Sequence, residues 1–325
     1  MSEGSDFEDD VAEEEEEDAG VITEAGKLPE NPLVQEMVPE CLNLLCKIGN
    51  GLAHAYVRLD AHERDLTDIE LLRKFIHVRY VDVSGNLLED ISPLNNLTHL
   101  LTLKADKNNL KTAKLDPLPY LQIMNLSGNK ITSTEGVEHP LLEQLNLNSN
   151  LIPLVSGLNP KFLTNLTTLE LRGNKLTTTA GIYLPNLKNL YLAGNSLKQV
   201  EDLDKLENLM ILHLRDNQID KLDGFTENMK KLQYINLRAN NVSDLKELKK
   251  MVALPMLRAL VLNDNPCLEE DGYRMEVLIV LRKLERLDKD EYTEDERVEA
   301  EDLYEQRRQE ELMKSEEQEE IADEG

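Results

Sequence analysis

Apolar side chains recur along this chain at fixed distances from a series of asparagines. Asn129 has Leu121, Met124 and Leu126 eight, five and three residues before it and Ile131 two after. Asn150 repeats the pattern with Leu142, Leu145, Leu147 and Ile152, and Asn174, Asn195, Asn217 and Asn240 carry it again. Asn86 has Val78, Val81, Val83 and Leu88, and Asn108 has Leu100, Leu103, Ala105 and Leu110. Asn265 ends the series, with Cys267 in the trailing apolar slot. Two apolar residues flanking a single residue fit a short strand whose alternate side chains share one face. The asparagine then falls where the chain turns, and its side chain can satisfy backbone groups of adjacent coils. Successive asparagines are 21 to 25 residues apart, which leaves room for only a short 3-10 or extended return segment. Upstream, Tyr56, Leu59, Ala61 and Leu66 fit the apolar slots, but Arg64 stands where the asparagine belongs. An atypical end coil is expected, because it has no preceding neighbour.

The motif LxxLxLxxNxL is the leucine-rich repeat, and it predicts an α/β solenoid with helical caps. A curved parallel sheet lines the concave face, and 3-10 or extended segments form the convex one. No single coil can bury its leucines without a neighbour, so about ten coils over 56–268 form one continuous core. Residues 1–28 read as a disordered acidic tail, since nothing before Lys27 is basic and the run EEEEED repels itself. Residues 29–55 read as a helical cap. Asn31-Pro32 would start it, Pro39 would kink or restart it, and Met37, Cys41, Leu44, Leu45 and Ile48 recur at helical spacing before Gly49-Asn50-Gly51. Cys41 and Cys46 then become buried thiols on that helix. At the other end, 269–290 read as a repeat cap with a helix from about Gly272-Tyr273. Residues 291–325 read as a charged helix or tail opened by the capping box Thr293 to Glu296. That helix is either solvated or a docking helix for a partner.

Composition narrows the function. A net charge of −27 argues against binding nucleic acid through its phosphates. No signal-peptide pattern and no apolar run of 18 residues occurs, so neither a leader nor a membrane partner is expected. Three cysteines, an odd number, fit a reducing, intracellular compartment. The six histidines are scattered, and no CxxC, HxxxH, phosphate-binding loop or nucleophile elbow occurs. The expectation is a protein with no catalytic residue, no metal, no cofactor and no small-molecule substrate. Cys267 lies in the acidic stretch LNDNPCLEEDGYR, but the repeat frame makes it a small buried hydrophobe.

The outward-facing strand residues carry the remaining signal. Arg172, Tyr191, Ile211, His213, Arg215, Tyr234 and Arg238 fall on the concave face of the later coils. The middle of that face is neutral and rich in asparagine. Arginine and tyrosine dominate binding hot spots, which makes these seven residues the candidate partner surface.

The segments LLCKIGNGLAHAYVRL, ERDLTDIELLRKFIHVRYVDVS, LHLRDNQID and LRALVLNDNPC resemble the leucine-rich repeat components of radial spokes in motile cilia and sperm flagella. The likeness runs from about Asn31 to Arg297, and its non-repeat part, GNGLAHAYVRL, is the most specific. The resemblance implies a non-enzymatic axonemal scaffold, located in the cytoplasm and cytoskeleton of cilia and flagella, with other radial spoke proteins as partners. The repeat subclass is shared with a regulatory subunit of protein phosphatase 1, so a phosphatase-targeting role is a second reading. An acidic histone chaperone is the third.

Overall fold

In a computed structural model the described residues are 29–323. The described residues form one 13-stranded sheet whose strands follow one another in sequence order. The strands are β1 (Leu42–Ile48), β2 (Ala53–Asp60), β3 (Tyr80–Asp82), β4 (Thr102–Lys104), β5 (Ile123–Asn125), β6 (Gln144–Asn146) and β7 (Thr168–Glu170). They continue as β8 (Asn189–Tyr191), β9 (Ile211–His213), β10 (Tyr234–Asn236), β11 (Ala259–Val261), β12 (Arg286–Leu287) and β13 (Asp290–Glu291). Pairing is parallel from β2 to β12 and antiparallel in the outermost pair at each end. The register is one coil per step: Val81 pairs with Leu103, Leu103 with Met124 and Met124 with Leu145. Return segments are extended or short 3-10 turns, such as Ser92–Asn96 and Leu203–Lys205, as a period of this length requires.

The four apolar slots of each regular coil point into a single core. Leu121, Met124, Leu126 and Ile131 are all fully buried, and each buried leucine contributes roughly 1.5–3 kcal/mol. All nine frame asparagines are buried as well. Asn129 shows why. Its Nδ2 donates to the carbonyls of Ala105 (3.0 Å), Leu126 (3.0 Å) and Ser127 (3.1 Å). Its Oδ1 accepts from the Leu110 amide of the preceding coil at 3.0 Å. One side chain thus satisfies several backbone groups, each of which would cost about 1–3 kcal/mol if left buried and unpaired. The residue before each asparagine adopts a positive φ, from Gly85 and Lys107 through to Asp264. Glycine takes that conformation without strain. Where lysine, serine, alanine or aspartate stands there instead, the coil holds it in place against a cost of about 1–2 kcal/mol.

The amino end departs from the sequence reading. The helix expected across 29–55 shrinks to one turn, α1 (Val38–Cys41), and the chain then enters β1. Gly49 and Gly51, both at positive φ, close a hairpin instead of stopping a helix. The first coil needs a partner for its sheet edge, and β1 supplies one along its length, from Leu42 opposite Leu59 to Ile48 opposite Ala53. Leu44 and Leu45, expected on an inward helical face, are exposed. Cys41 is buried at the end of α1, but Cys46 is half-buried on a strand. Tyr56 is exposed and Val57 takes its core slot, because β2 is already extended there and alternation places odd-numbered residues inside. The acidic segment 1–28 lies outside the described residues.

At the carboxyl end, α2 (Tyr273–Val280) begins where the sequence places it. It is followed by α3 (Glu294–Asp323). The capping box forms: the Thr293 amide donates to Glu296 Oε2 (2.7 Å), and the Glu296 amide to Thr293 Oγ1 (3.3 Å). The first half of α3 lies on the molecule's own cap, with Ala300 buried and Leu303 and Tyr304 half-buried against the core. Its later residues Leu312 and Met313 are exposed.

Candidate functional site

Strand alternation alone decides which side chains reach the concave surface. In β9 the central Leu212 points inward, so Ile211 and His213 face out. The parallel register sets Tyr191 beside His213 and Ile211 beside Tyr234. The His213 ring then touches both tyrosines. It stacks on Tyr191 at 4.8 Å between centroids and meets the Tyr234 ring at 5.1 Å, tilted by 42°. On the far side, the Arg172 guanidinium lies 4.5 Å from the centre of the Tyr191 ring. Arg172, Tyr191, His213 and Tyr234 therefore form one continuous row across four coils. Each ring contact adds about 0.5–1.5 kcal/mol beyond burial, so the row is held in place before any partner arrives. Tyr234 is buried, and the others, with Ile211, are half-buried.

Arg215 and Arg238 flank this row. Arg215 Nε sits 2.9 Å from Asp216 Oδ2, and Arg238 Nε sits 2.7 Å from Asp264 Oδ2. Such solvent-facing pairs contribute little to stability, about 0–1 kcal/mol, and exchange partners readily. The structure thus brings together all seven residues singled out from the sequence. The stacking was not foreseen, because its members occupy different slots of their coils.

The earlier coils present a different surface. Lys104 Nζ lies 3.5 Å from Asp82, Asn125 donates to Asp106 (3.0 Å) and Asn148 donates to Glu170 (2.7 Å). Burial, helped by the charge of Asp82, pushes the Asp106 carboxyl above its ordinary range. These polar groups bond chiefly to one another.

Other chemistry-bearing residues are structural. Cys267 is fully buried, and burial with the nearby Glu270 pushes its thiol up to about 11, opposite to a reactive thiolate. His139 is buried, accepts the Leu118 amide through Nδ1 at 3.1 Å, and is pushed down to about 4 by desolvation. The frame asparagines lie inside the coils and are spent on backbone bonds. Among the described residues no group of histidine, cysteine and carboxylate side chains could hold a metal ion, and no helix is long and apolar enough to cross a membrane. Asp288 falls in the cap that the sequence predicts over 269–290, but its bonding role escaped that reading, since it follows the last frame asparagine. Its Oδ1 accepts from the Leu262 (2.8 Å) and Asn263 (3.0 Å) amides and closes the last coil.

A family model described as leucine-rich repeat matches residues 167–316, which include the whole Arg-Tyr row. The human leucine-rich repeat-containing protein 23 is 61% identical over 280 residues, covering 86% of this chain and 81% of that protein. The chain belongs to the leucine-rich repeat-containing protein 23 family. The bovine leucine-rich repeat-containing protein 23 is 59% identical over 272 residues, or 84% of this chain and 80% of its own length. Among solved structures, an internalin (inlF) from Listeria monocytogenes superposes with a TM-score of 0.56 at 24% identity. That likeness covers 73% of this chain and 68% of the internalin, and it speaks to the fold alone. Membership of the leucine-rich repeat-containing protein 23 family, with this fold, makes the chain a protein-interaction scaffold.

Proposed function

We propose that this protein is a non-enzymatic scaffold of the axonemal radial spoke, in the cytoskeleton of motile cilia and sperm flagella, where it supports motility. Partner spoke proteins dock on the concave face through Arg172, Tyr191, Ile211, His213, Arg215, Tyr234 and Arg238. The observation that carries this reading is the preassembled row of Arg172, Tyr191, His213 and Tyr234. A surface whose aromatic side chains are already ordered loses little entropy on binding. Its flanking arginines sit in exposed pairs that a partner carboxylate can replace. The resemblance to radial-spoke proteins supplies the axonemal setting.

The test is capture of axonemal proteins by the full chain. The Arg215→Glu/Arg238→Glu variant is expected to lose radial-spoke proteins from an axonemal extract, while its thermal midpoint moves by no more than about 2 °C. Undiminished capture by the folded variant sinks the concave-face reading. Recovery of protein phosphatase 1 activity without axonemal proteins would favour the phosphatase-targeting role instead.

A further inference from the structure

A second surface lies at the carboxyl end of the solenoid, between the last coil and its helical cap. The 3-10 segment Leu245–Ala253, the end of α2 with the turn after it, and the side of α3 that carries Tyr304, Arg307, Arg308 and Glu311 enclose an open groove of about 640 Å³. Its floor is apolar: Met251, Leu254 and Leu281 are buried beneath it, while Val252 stands 59% exposed at its lip. Its lining carries Lys249, Arg282, Lys283, Arg307 and Arg308 with Glu311, and the three arginines are paired with Glu301, Glu276 and Glu305 beside it. That concentration of cations contrasts with a chain whose net charge is −27.

The cations are held in different ways. Arg282 lies 4.0 Å from the Tyr304 ring centre and 3.0 Å from Glu301, and Arg307 makes a two-pronged pair with Glu276 at 2.7 and 2.6 Å. These contacts fix the wall. Lys249 and Lys283 are exposed and have no ion pair among the described residues. Their charges face solvent at the rim. The apolar surface also continues past the groove, because Leu312, four residues beyond Arg308 and on the same side of α3, is 53% exposed.

From this we infer that the groove is a docking site for an acidic amphipathic helix of a partner protein. None of the groove's lining residues belongs to a strand, so the groove offers no strand edge. An incoming segment must then pair its own backbone donors internally, which a helix does. Its apolar face would cover Val252 and Leu312, and carboxylates along its flanks would meet Lys249 and Lys283. The site is independent of the concave face.

A fluorescently labelled synthetic peptide of about 18 residues, with leucines at i, i+4, i+7 and i+11 and glutamates on the flanks, tests this by anisotropy against the full chain. The peptide is expected to bind, more weakly as salt rises. Lys249→Glu/Lys283→Glu and, separately, Val252→Asp are each expected to weaken it by at least about tenfold. All these positions are exposed, and circular dichroism with thermal melting verifies that the variants fold. Arg215→Glu/Arg238→Glu should bind the peptide like the parent, so failure here and failure on the concave face are separable. Absence of binding overturns the proposal, as does binding that the groove variants leave unchanged. A concentration-dependent dimer that those variants dissolve also overturns it and assigns the groove to a second copy.

Discussion

The two ends of the solenoid face the same problem, an end coil with no neighbour, and solve it differently. At the carboxyl end the last coil is closed from within. Asp288 accepts the amides of Leu262 and Asn263, Tyr273 donates its hydroxyl to Asp288 at 3.1 Å, and α2 and α3 cover the core. Arg274 then ties α3 down through Glu296 (2.6 Å) and the Glu291 carbonyl (2.7 Å). At the amino end the first coil is clipped from outside. Asn31 donates to the carbonyls of Arg64 (2.9 Å) and Asp65 (3.2 Å), and its own amide and carbonyl pair with Thr67. The hairpin of β1 and β2 extends the sheet but leaves Leu44, Leu45, Leu52 and Tyr56 exposed. A helix pair seals an end because it brings its own core. A hairpin satisfies the sheet edge and leaves apolar surface facing water.

If that contrast is right, removing the closing residue costs more at the carboxyl end. Asp288→Ala is expected to destabilise by about 2–4 kcal/mol, because two amides and the Tyr273 hydroxyl lose their acceptor together. Asn31→Ala is expected to cost about 1 kcal/mol, since its partners Arg64 and Asp65 lie nearer solvent and water can replace it. Urea unfolding of each variant measures both. Equal costs, or the reverse order, would break the comparison.

The middle of the molecule was far more legible in the sequence than either end. A coil repeats its burial pattern, so the slot of Leu145 predicts that of Leu169 and Leu190, and strand alternation places Tyr191 and His213 outside without further information. The amino end defeats this logic because its partner is not periodic. Leu44, Leu45 and Ile48 suit a helix face with Cys41, yet backbone pairing of β1 with β2 outweighs that local pattern after Cys41. The role of Asp288 was unreadable for a related reason: the donors it satisfies lie about one coil earlier, and only the pairing of β12 with β11 brings it to them. At the candidate site, sequence supplied the seven residues but not their order. Whether His213 leans toward one tyrosine or both depends on side-chain angles that no spacing encodes. The groove beneath α3 was hidden because its lining comes from three separated segments.

The subtlest difference between the ends is their response to pH, and the two should move in opposite directions. At the carboxyl end the Arg274 guanidinium, aided by the Thr293 amide, holds the Glu296 carboxyl down to about 2. Glu276 is lowered likewise by Arg307. A carboxyl lowered in the folded state adds stability above its unfolded value of about 4.3 and loses it as the pH falls toward 2. At the amino end the hydrogen bond and charge of Asp60 raise the His62 imidazole above its ordinary 6.5. That contribution is complete below 6.5 and disappears as the pH rises through the raised value. His62 is exposed and screened, so the second effect is the smaller. Hydrogen exchange, corrected for intrinsic rates, should show amides at the start of α3 opening as pH drops from about 4.3 to 2. Amides around Ala61 to Glu63 should open slightly as pH rises past 6.5 instead. If both ends loosen on the same side of neutrality, the charged contacts do not set their stability, and the helical cover and hairpin pairing alone distinguish them.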